Sequence, residues 1–387
     1  MKNLIYLLLL SMTIPSCKKE EARQVNQYTI EQFYTNTRFE GGTFSADETR
    51  LLVGSDETGI FNLYEITLAD GAKKQLTTST VESYYPVDYV PGMSALIYSA
   101  DKGGNEIDHL YLLEDNGKTT DLTPGENNKV SFFKWSEDKK SMFYISNIRD
   151  PKYFDVYKMN IGEWIPTLFY ENKSGLDVNE ISDDEKTLVV SKTVTTSENE
   201  LYLVNRETDT QTELSLPDQK GRYGVSGISK DSKYVFYLTD GGKEFTYLVQ
   251  YDMNSGERKV LYETNWDVMY TFLSEKETYR VIAINEDGKN TIIMQDAASG
   301  KTIDFPAIPD GDILGVEISD SEKLMRLSVG TSKAPNNIYL YNLETKELKK
   351  LTESLNKEIN ADDLVSAEVV RYKSFDGLDI PAIYYKP

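Results

Sequence analysis

The sequence predicts an all-β chain folded as a seven-bladed β-propeller, and three columns of residues carry that expectation. A short polar turn between an apolar strand end and a β-branched run recurs at Ser45, Pro91, Ser136, Ser182, Ser229, Ser274 and Ser319, with steps of 46, 45, 46, 47, 45 and 45. Nineteen to twenty-one residues after each turn stands Tyr64, Tyr111, Tyr157, Tyr202, Gln250, Met294 or Tyr339, five of the seven being tyrosine. Thirty-one to thirty-three residues after each turn an apolar residue closes the unit: Leu76, Leu122, Phe169, Leu214, Leu261, Phe305 or Leu351. A period of about 45 residues, kept at three columns, fits one propeller blade per repeat.

Each repeat holds four short β-prone stretches. The first ends at the turn, and the second follows it, as in LLVGS, ALIYS, MFYIS and YVFYL. The third contains the tyrosine column and the fourth ends at the closing apolar residue. A lone four-stranded sheet of this length leaves an apolar face in water, so the blades must pack side by side around an axis. Helical periodicity is weak from Tyr28 to Thr352. The first repeat opens with its own inner strand near Phe39, and the seventh finishes with its own outer strand near Leu348, so no strand is shared between the ends. The ring is therefore expected to close by hydrophobic packing alone and to part most easily between blades one and seven.

The repeats occupy most of the 387 residues as one unit, although the length alone would suggest two or three domains. Acidic residues outnumber basic ones by 63 to 42, for a formal net charge of −21. Nucleic acid is excluded as a partner on this ground, because phosphate binding depends on clustered positive charge. Solubility is the simplest use of the acidity.

The first sixteen residues are of a different material: Lys2, the apolar run Leu4 to Leu10, then Ile14-Pro15-Ser16 before Cys17. The apolar core is too short to span a bilayer, and the pattern is that of a secretory signal over residues 1–16. Ile14-Pro15-Ser16-Cys17 resembles a bacterial lipobox, with a less usual proline at its second position. The resemblance implies cleavage before Cys17, lipidation of that residue and a protein held to a membrane in the cell envelope, facing periplasm or exterior. A plain secreted protein with an incidental Cys17 is the alternative. Residues 17–27 then form a lipidated tether. Cys17 is the only cysteine, so neither an internal disulfide nor a cysteine-based metal site is possible.

The propeller is expected over 28–364, and after it the pattern changes. Residues 368–387 read as a β-hairpin whose two alternating strands flank Phe375-Asp376-Gly377, where glycine supplies the positive φ of a tight turn. This segment, VRYKSFDGLDIPAIYYKP, and the stretch Tyr28 to Val53 at the other end resemble the prolyl oligopeptidase family of serine peptidases, which includes dipeptidyl-peptidase and acylaminoacyl-peptidase branches. GGNEID (Gly103 to Asp108) and NIRDPKYFD (Asn147 to Asp155) between them are similar to blades of bacterial members. The resemblance implies that 365–387 is the start of a truncated α/β-hydrolase domain.

That family's hydrolase domain carries a serine in a Gly-x-Ser-x-Gly elbow, then aspartate and histidine. This chain has no such elbow, and Gly224-Val225-Ser226-Gly227 is placed in an inner propeller strand. Its only histidine, His109, reads as an ordinary residue at a strand start. The chain as given is expected to be inactive alone, with no catalytic residue, no metal and no cofactor.

The resemblance further implies a propeller that covers the active site of a hydrolase domain expected in cis, limits entry to peptides, and lends charged groups to hold a peptide terminus. The loop candidates for substrate binding are Glu106 and Asp108 in blade two and Arg149 and Asp150 in blade three; the competing reading of each is a turn charge or cap. Inner strands offer Asp88, Lys134, Glu180 and Glu317 near the channel, where paired carboxylates would also suit a glycoside hydrolase. The preferred reading is the substrate-gating propeller of a membrane-attached serine peptidase. The alternative is a non-catalytic lipoprotein propeller that binds or scaffolds, similar to the periplasmic propeller of the Tol system.

Overall fold

A computed structural model describes residues 24–308 and 311–386. Seven antiparallel four-stranded sheets follow one another along the chain, each with its strands in sequence order from the axis outward. Their inner strands are Phe39–Phe44, Tyr85–Tyr89, Val130–Trp135, Asp177–Ile181, Tyr223–Ile228, Asp267–Leu273 and Gly311–Ile318. The column of Tyr64, Tyr111, Tyr157, Tyr202, Gln250, Met294 and Tyr339 falls on the third strand of every blade. As expected, no strand is shared between the ends: blade one has its own inner strand, and blade seven its own outer strand, Leu348–Lys350.

The core follows from this geometry. A blade buries both faces against its neighbours, so apolar residues form seven layers, one at each blade interface, including the interface of blades seven and one. The second strands are the deepest, and Leu51, Leu52 and Val53 have no exposed surface at all. Each such side chain contributes about 1.5–3 kcal/mol of burial. Because consecutive residues of one strand serve two different interfaces, these strands read as unbroken apolar runs rather than as alternation.

The recurring serine has a physical cause. In blades one, three, four and five its hydroxyl donates to an aspartate two residues on, at 2.6–2.8 Å, and accepts from the backbone N–H five residues on. It thereby caps the turn from inner to second strand. Blade two departs from the expectation. The backbone bond equivalent to Ser45 N to Arg50 O is made there by Val90 N to Ala95 O, so the true anchor is Val90, and Pro91 lies one residue beyond it.

Every inner strand also carries a one-residue bulge, which no column of the sequence announces. The skipped residues are Gly42, Val87, Phe133, Asn179, Ser226, Met269 and Leu314. Bulges add twist and bend a strand.

One short helix joins the expected strands, and one expectation is corrected. A five-residue helix, Ile30–Tyr34, precedes the first blade, closed by a capping box between Thr29 and Gln32; five residues are too few to show helical periodicity. Nor does the ring close by hydrophobic packing alone. Glu48 of blade one accepts from Ser321 of blade seven, and Lys349 Nζ donates to the carbonyls of Leu68 and Ala69 at 3.0 and 2.8 Å. These polar groups lie on the face of the inner-to-second and third-to-outer turns, opposite the face where the two chain ends meet, and a seam layer built on Phe39, Leu51, Val53 and Ile338 lies between.

After the seventh blade the chain forms the predicted hairpin, Ala367–Lys373 paired with Asp379–Tyr385, with Gly377 at φ 89 in the turn. The proposed signal at 1–16 and Cys17 lie outside the described residues.

Candidate functional site

In a four-stranded antiparallel blade, the connection from second to third strand and the one leaving the outer strand share a face of the ring. The four loop candidates all lie on that face. Glu106 and Asp108 stand in the connection before the third strand of blade two, His109–Glu114; Arg149 and Asp150 end the second strand of blade three, Ser141–Asp150.

The structure gives each a local partner and makes no hydrogen bond between the two loops. Arg149 grips Asp155 with Nε and Nη2 at 2.6 and 2.9 Å and the carbonyl of Asn172 at 2.9 Å. Asp155 is fully buried and also accepts from the Asn172 N–H. Arg149 is thus a pin between two connections, and bonding to Asp155 holds its guanidinium above its ordinary range. Asp150 caps the next turn by accepting from Lys152 N at 2.9 Å. Glu106 sits in left-handed backbone, φ 58, its N–H donated to Asp101, and its side chain is exposed. Asp108 accepts from Ser99 Oγ at 3.5 Å, and its backbone carbonyl accepts from Val130 N.

His109 begins the third strand of blade two and is buried. Nδ1 lies 2.9 Å from Asp121 Oδ2, and Nε2 lies 2.9 Å from the carbonyl oxygen of Gly125. Both ring nitrogens are therefore engaged in tying the exit of blade two to its third strand. The Asp121–His109 pair has two members of a triad's chemistry, but the nitrogen that would face a serine meets a backbone carbonyl.

The channel residues are likewise committed. Lys134 Nζ binds Glu180 at 3.1 Å and Asp183 at 3.3 Å, bridging blades three and four; burial works against its charge, and the two carboxylates outweigh that. Glu317 pairs with Arg326 at 2.9 Å. Asp88 accepts from Trp135 Nε1 of blade three at 2.8 Å and from Tyr89 N at 2.7 Å. Burial pushes the Asp88 carboxyl up to about 6, opposed by those two hydrogen bonds, with the negative charge of Glu317 adding to the rise. Asp88, Glu180 and Glu317 thus each have a donor of their own. No column of the repeat marks Trp135, although its place one residue before an anchor puts it at the end of an inner strand.

The terminal hairpin occupies the same face on the other side of the ring. Arg371 Nη2 pairs with Asp287 in the second-to-third turn of blade six, and Ile383 packs over Gly288. Around this contact, blades six and seven and the hairpin enclose a groove whose lining includes Lys289, Asp312, Asn336 and Glu368. Away from it the hairpin is bare: Phe375 has no cover, and Tyr372 and Leu378 are more than half exposed. A two-stranded sheet with so much apolar surface in water is the kind of element that further structure covers.

The family profile described as the prolyl oligopeptidase N-terminal beta-propeller domain matches residues 87–354. Dipeptidyl aminopeptidase BIII of Pseudoxanthomonas mexicana is 24% identical over 306 residues, covering 76% of this chain and 43% of that protein. Among solved structures, a prolyl endopeptidase superposes with a TM-score of 0.70 at 17% identity, over 91% of this chain and 54% of the other. Prolyl oligopeptidase B from Galerina marginata superposes with a TM-score of 0.66 at 15% identity, over 91% and 55%. The chain thus spans about half the length of these relatives. With seven blades in the predicted order and a profile match over most of them, the chain belongs to the prolyl oligopeptidase family, through its N-terminal β-propeller domain.

Proposed function

We propose that this propeller gates substrate access to a serine peptidase active site on a hydrolase domain that continues from the terminal hairpin, and that the protein is held to a membrane through lipid on Cys17. The observation that carries the reading is the hairpin itself. It docks by Arg371 and Ile383 on the loop face of blade six, beside a groove shared with blade seven, and leaves apolar side chains uncovered. A hydrolase domain built on these strands would lie over that loop face. The ring then separates the active site from solvent, and peptides reach it only through the channel or past the rim. Of the four loop candidates, the exposed carboxylate of Glu106 is the one with a free side chain to pair with a peptide amino terminus; Arg149 acts through the shape of its loop.

The test is to read the coding sequence downstream of Pro387 and express the longer protein. An in-frame Gly-x-Ser-x-Gly followed by aspartate and histidine, with hydrolysis of chromogenic peptides lost on replacing that serine, supports the reading. A stop codon at that point, with binding of a periplasmic partner by the propeller, overturns it in favour of a binding module. Lipidation is checked separately: Cys17→Ser is expected to release the protein from the membrane fraction.

A further inference from the structure

We propose that the segment from Asn26 to Asn36 is a detachable polar clasp, which locks the seam of blades one and seven from outside and fixes the path of the linker to the terminal hairpin. Propellers without a shared strand need some other tie between their ends, and here the tie is made by side chains. Tyr28 OH donates to Asp363 Oδ2 at 2.7 Å and accepts from Asn360 N at 2.9 Å, so one hydroxyl is used in both senses. Asn26 Nδ2 reaches the same carboxylate oxygen at 2.8 Å. Gln32 Nε2 donates to Glu358 at 3.0 Å. In the other direction, Asn356 Nδ2 donates to Gln32 O and Thr35 Oγ1 at 2.8 and 2.7 Å, and Asn356 N donates to Asn36 Oδ1 at 2.8 Å. One backbone bond, Thr37 N to Ser354 O at 2.8 Å, ends the series where blade one begins.

What makes the clasp detachable is what it lacks. The helix Ile30–Tyr34 has no buried residue, and Ile30 and Tyr34 are 71% and 85% exposed. A five-residue helix does not hold itself in water. It persists through its capping box and through the bonds to 356–363, most of them exposed and none fully buried. Elements held by exposed polar contacts open at much lower free energy than the apolar layers beneath them. The clasp therefore opens before the ring does, and once it is open the seam is held only by its apolar layer and the bonds of Glu48 and Lys349. The clasp also joins the tether side of the chain to residues 354–363, which lead directly into the hairpin. Loosening it frees the linker as well as the seam. This inference concerns the described chain alone and does not depend on a hydrolase domain.

Hydrogen exchange followed by mass spectrometry on the whole chain tests it, comparing the natural protein with a Tyr28→Phe, Asn356→Ala double variant. The expected result is at least tenfold faster exchange in 354–364 and in Phe39–Phe44, with the inner strands of blades three to five within twofold. Unchanged exchange in 354–364, or the same acceleration in every blade, overturns the proposal. Asp363→Asn, which keeps the size of the side chain and weakens the bonds from Asn26 and Tyr28, is expected to accelerate 354–364 in the same direction by a smaller factor. No acceleration in this milder variant also counts against the clasp.

Discussion

Glu48, in blade one, accepts hydrogen bonds from the backbone N–H and the hydroxyl of Ser321, in blade seven, at 2.7 and 2.5 Å. The contact repeats around this side of the ring. Glu322 of blade seven accepts from Ser274 Oγ and Lys276 N of blade six at 2.5 and 2.8 Å, and Glu277 of blade six accepts from Lys230 N of blade five at 2.9 Å. All three glutamates occupy the same place, three residues after an anchor serine, in left-handed backbone at φ 53, 62 and 56. That conformation costs a non-glycine residue about 1–2 kcal/mol, and the bonds to the preceding blade offset it. The seam between the chain ends thus uses the same polar stitch as two interfaces inside the chain.

Removing the stitch at the seam has a predictable cost. Glu48→Ala is expected to lower stability by about 1–3 kcal/mol, because it leaves the Ser321 donors without a partner and keeps the strained backbone. Glu48→Gly, which relieves the strain, is expected to recover part of that loss. Denaturant titration of both variants measures it, and equal stability of Glu48→Ala and the natural protein would sink the idea.

Two carboxylates give opposite pH effects. Glu322 is held below its ordinary value of 4.5: burial would raise it, and the Ser274 hydroxyl and the backbone N–H groups of Lys276 and Thr278 prevail. Its contribution is present at neutral pH and is lost as pH falls below the ordinary glutamate value. Asp88 is raised from 3.8 to about 6, chiefly by burial. The folded state then binds its proton more tightly than the unfolded chain, so the Asp88 contribution to stability grows as pH falls through about 6 towards 3.8. Asp88→Asn is expected to gain on the natural protein by about 1 kcal/mol more at pH 8 than at pH 5. Stability curves of equal slope in the two proteins would refute the assignment.

Arg149 separates a structural from a substrate role. Arg149→Ala strands the buried carboxylate of Asp155 and is expected to lower Tm by several degrees, and Arg149→Lys is expected to restore little, because an ammonium cannot make the bidentate grip. Asp150→Ala loses one exposed cap and is expected to leave Tm within about a degree. An Arg149→Ala protein as stable as the natural one would return Arg149 to the substrate-binding candidates.

The docking of the terminal hairpin rests on Gly288. Its φ is 75, and a Cβ there would lie 3.3 Å from Ile383 Cδ1. Gly288→Val is therefore expected to lift the hairpin, read as earlier proteolytic cleavage within 365–386 at an unchanged cleavage rate in the blades. Cleavage no faster than in the natural protein would show that the hairpin is held elsewhere.

Repeats made the blades legible, because burying both faces of a short sheet demands the same residue types at the same places in every unit. Six of the seven turn anchors were therefore readable directly. The anchor of blade two is Val90 and not Pro91, and neither offers the serine hydroxyl that marks the others. The terminal hairpin was readable too, from alternation around Asp376-Gly377.

The site was less legible, and the reason is the range of its contacts. A charged loop residue has the same local pattern whether it awaits a substrate or pins a turn. Only the folded chain shows that Arg149 is taken by Asp155, six residues on, and that His109 is closed between Asp121 and Gly125. The bulges, the glutamate stitch and the clasp of Tyr28 on Asp363 join residues from neighbouring strands, neighbouring blades or opposite ends of the chain. Periodicity within one sequence records what each blade must bury; which polar groups meet across blades is set by how the ring closes, and that is decided in the tertiary structure.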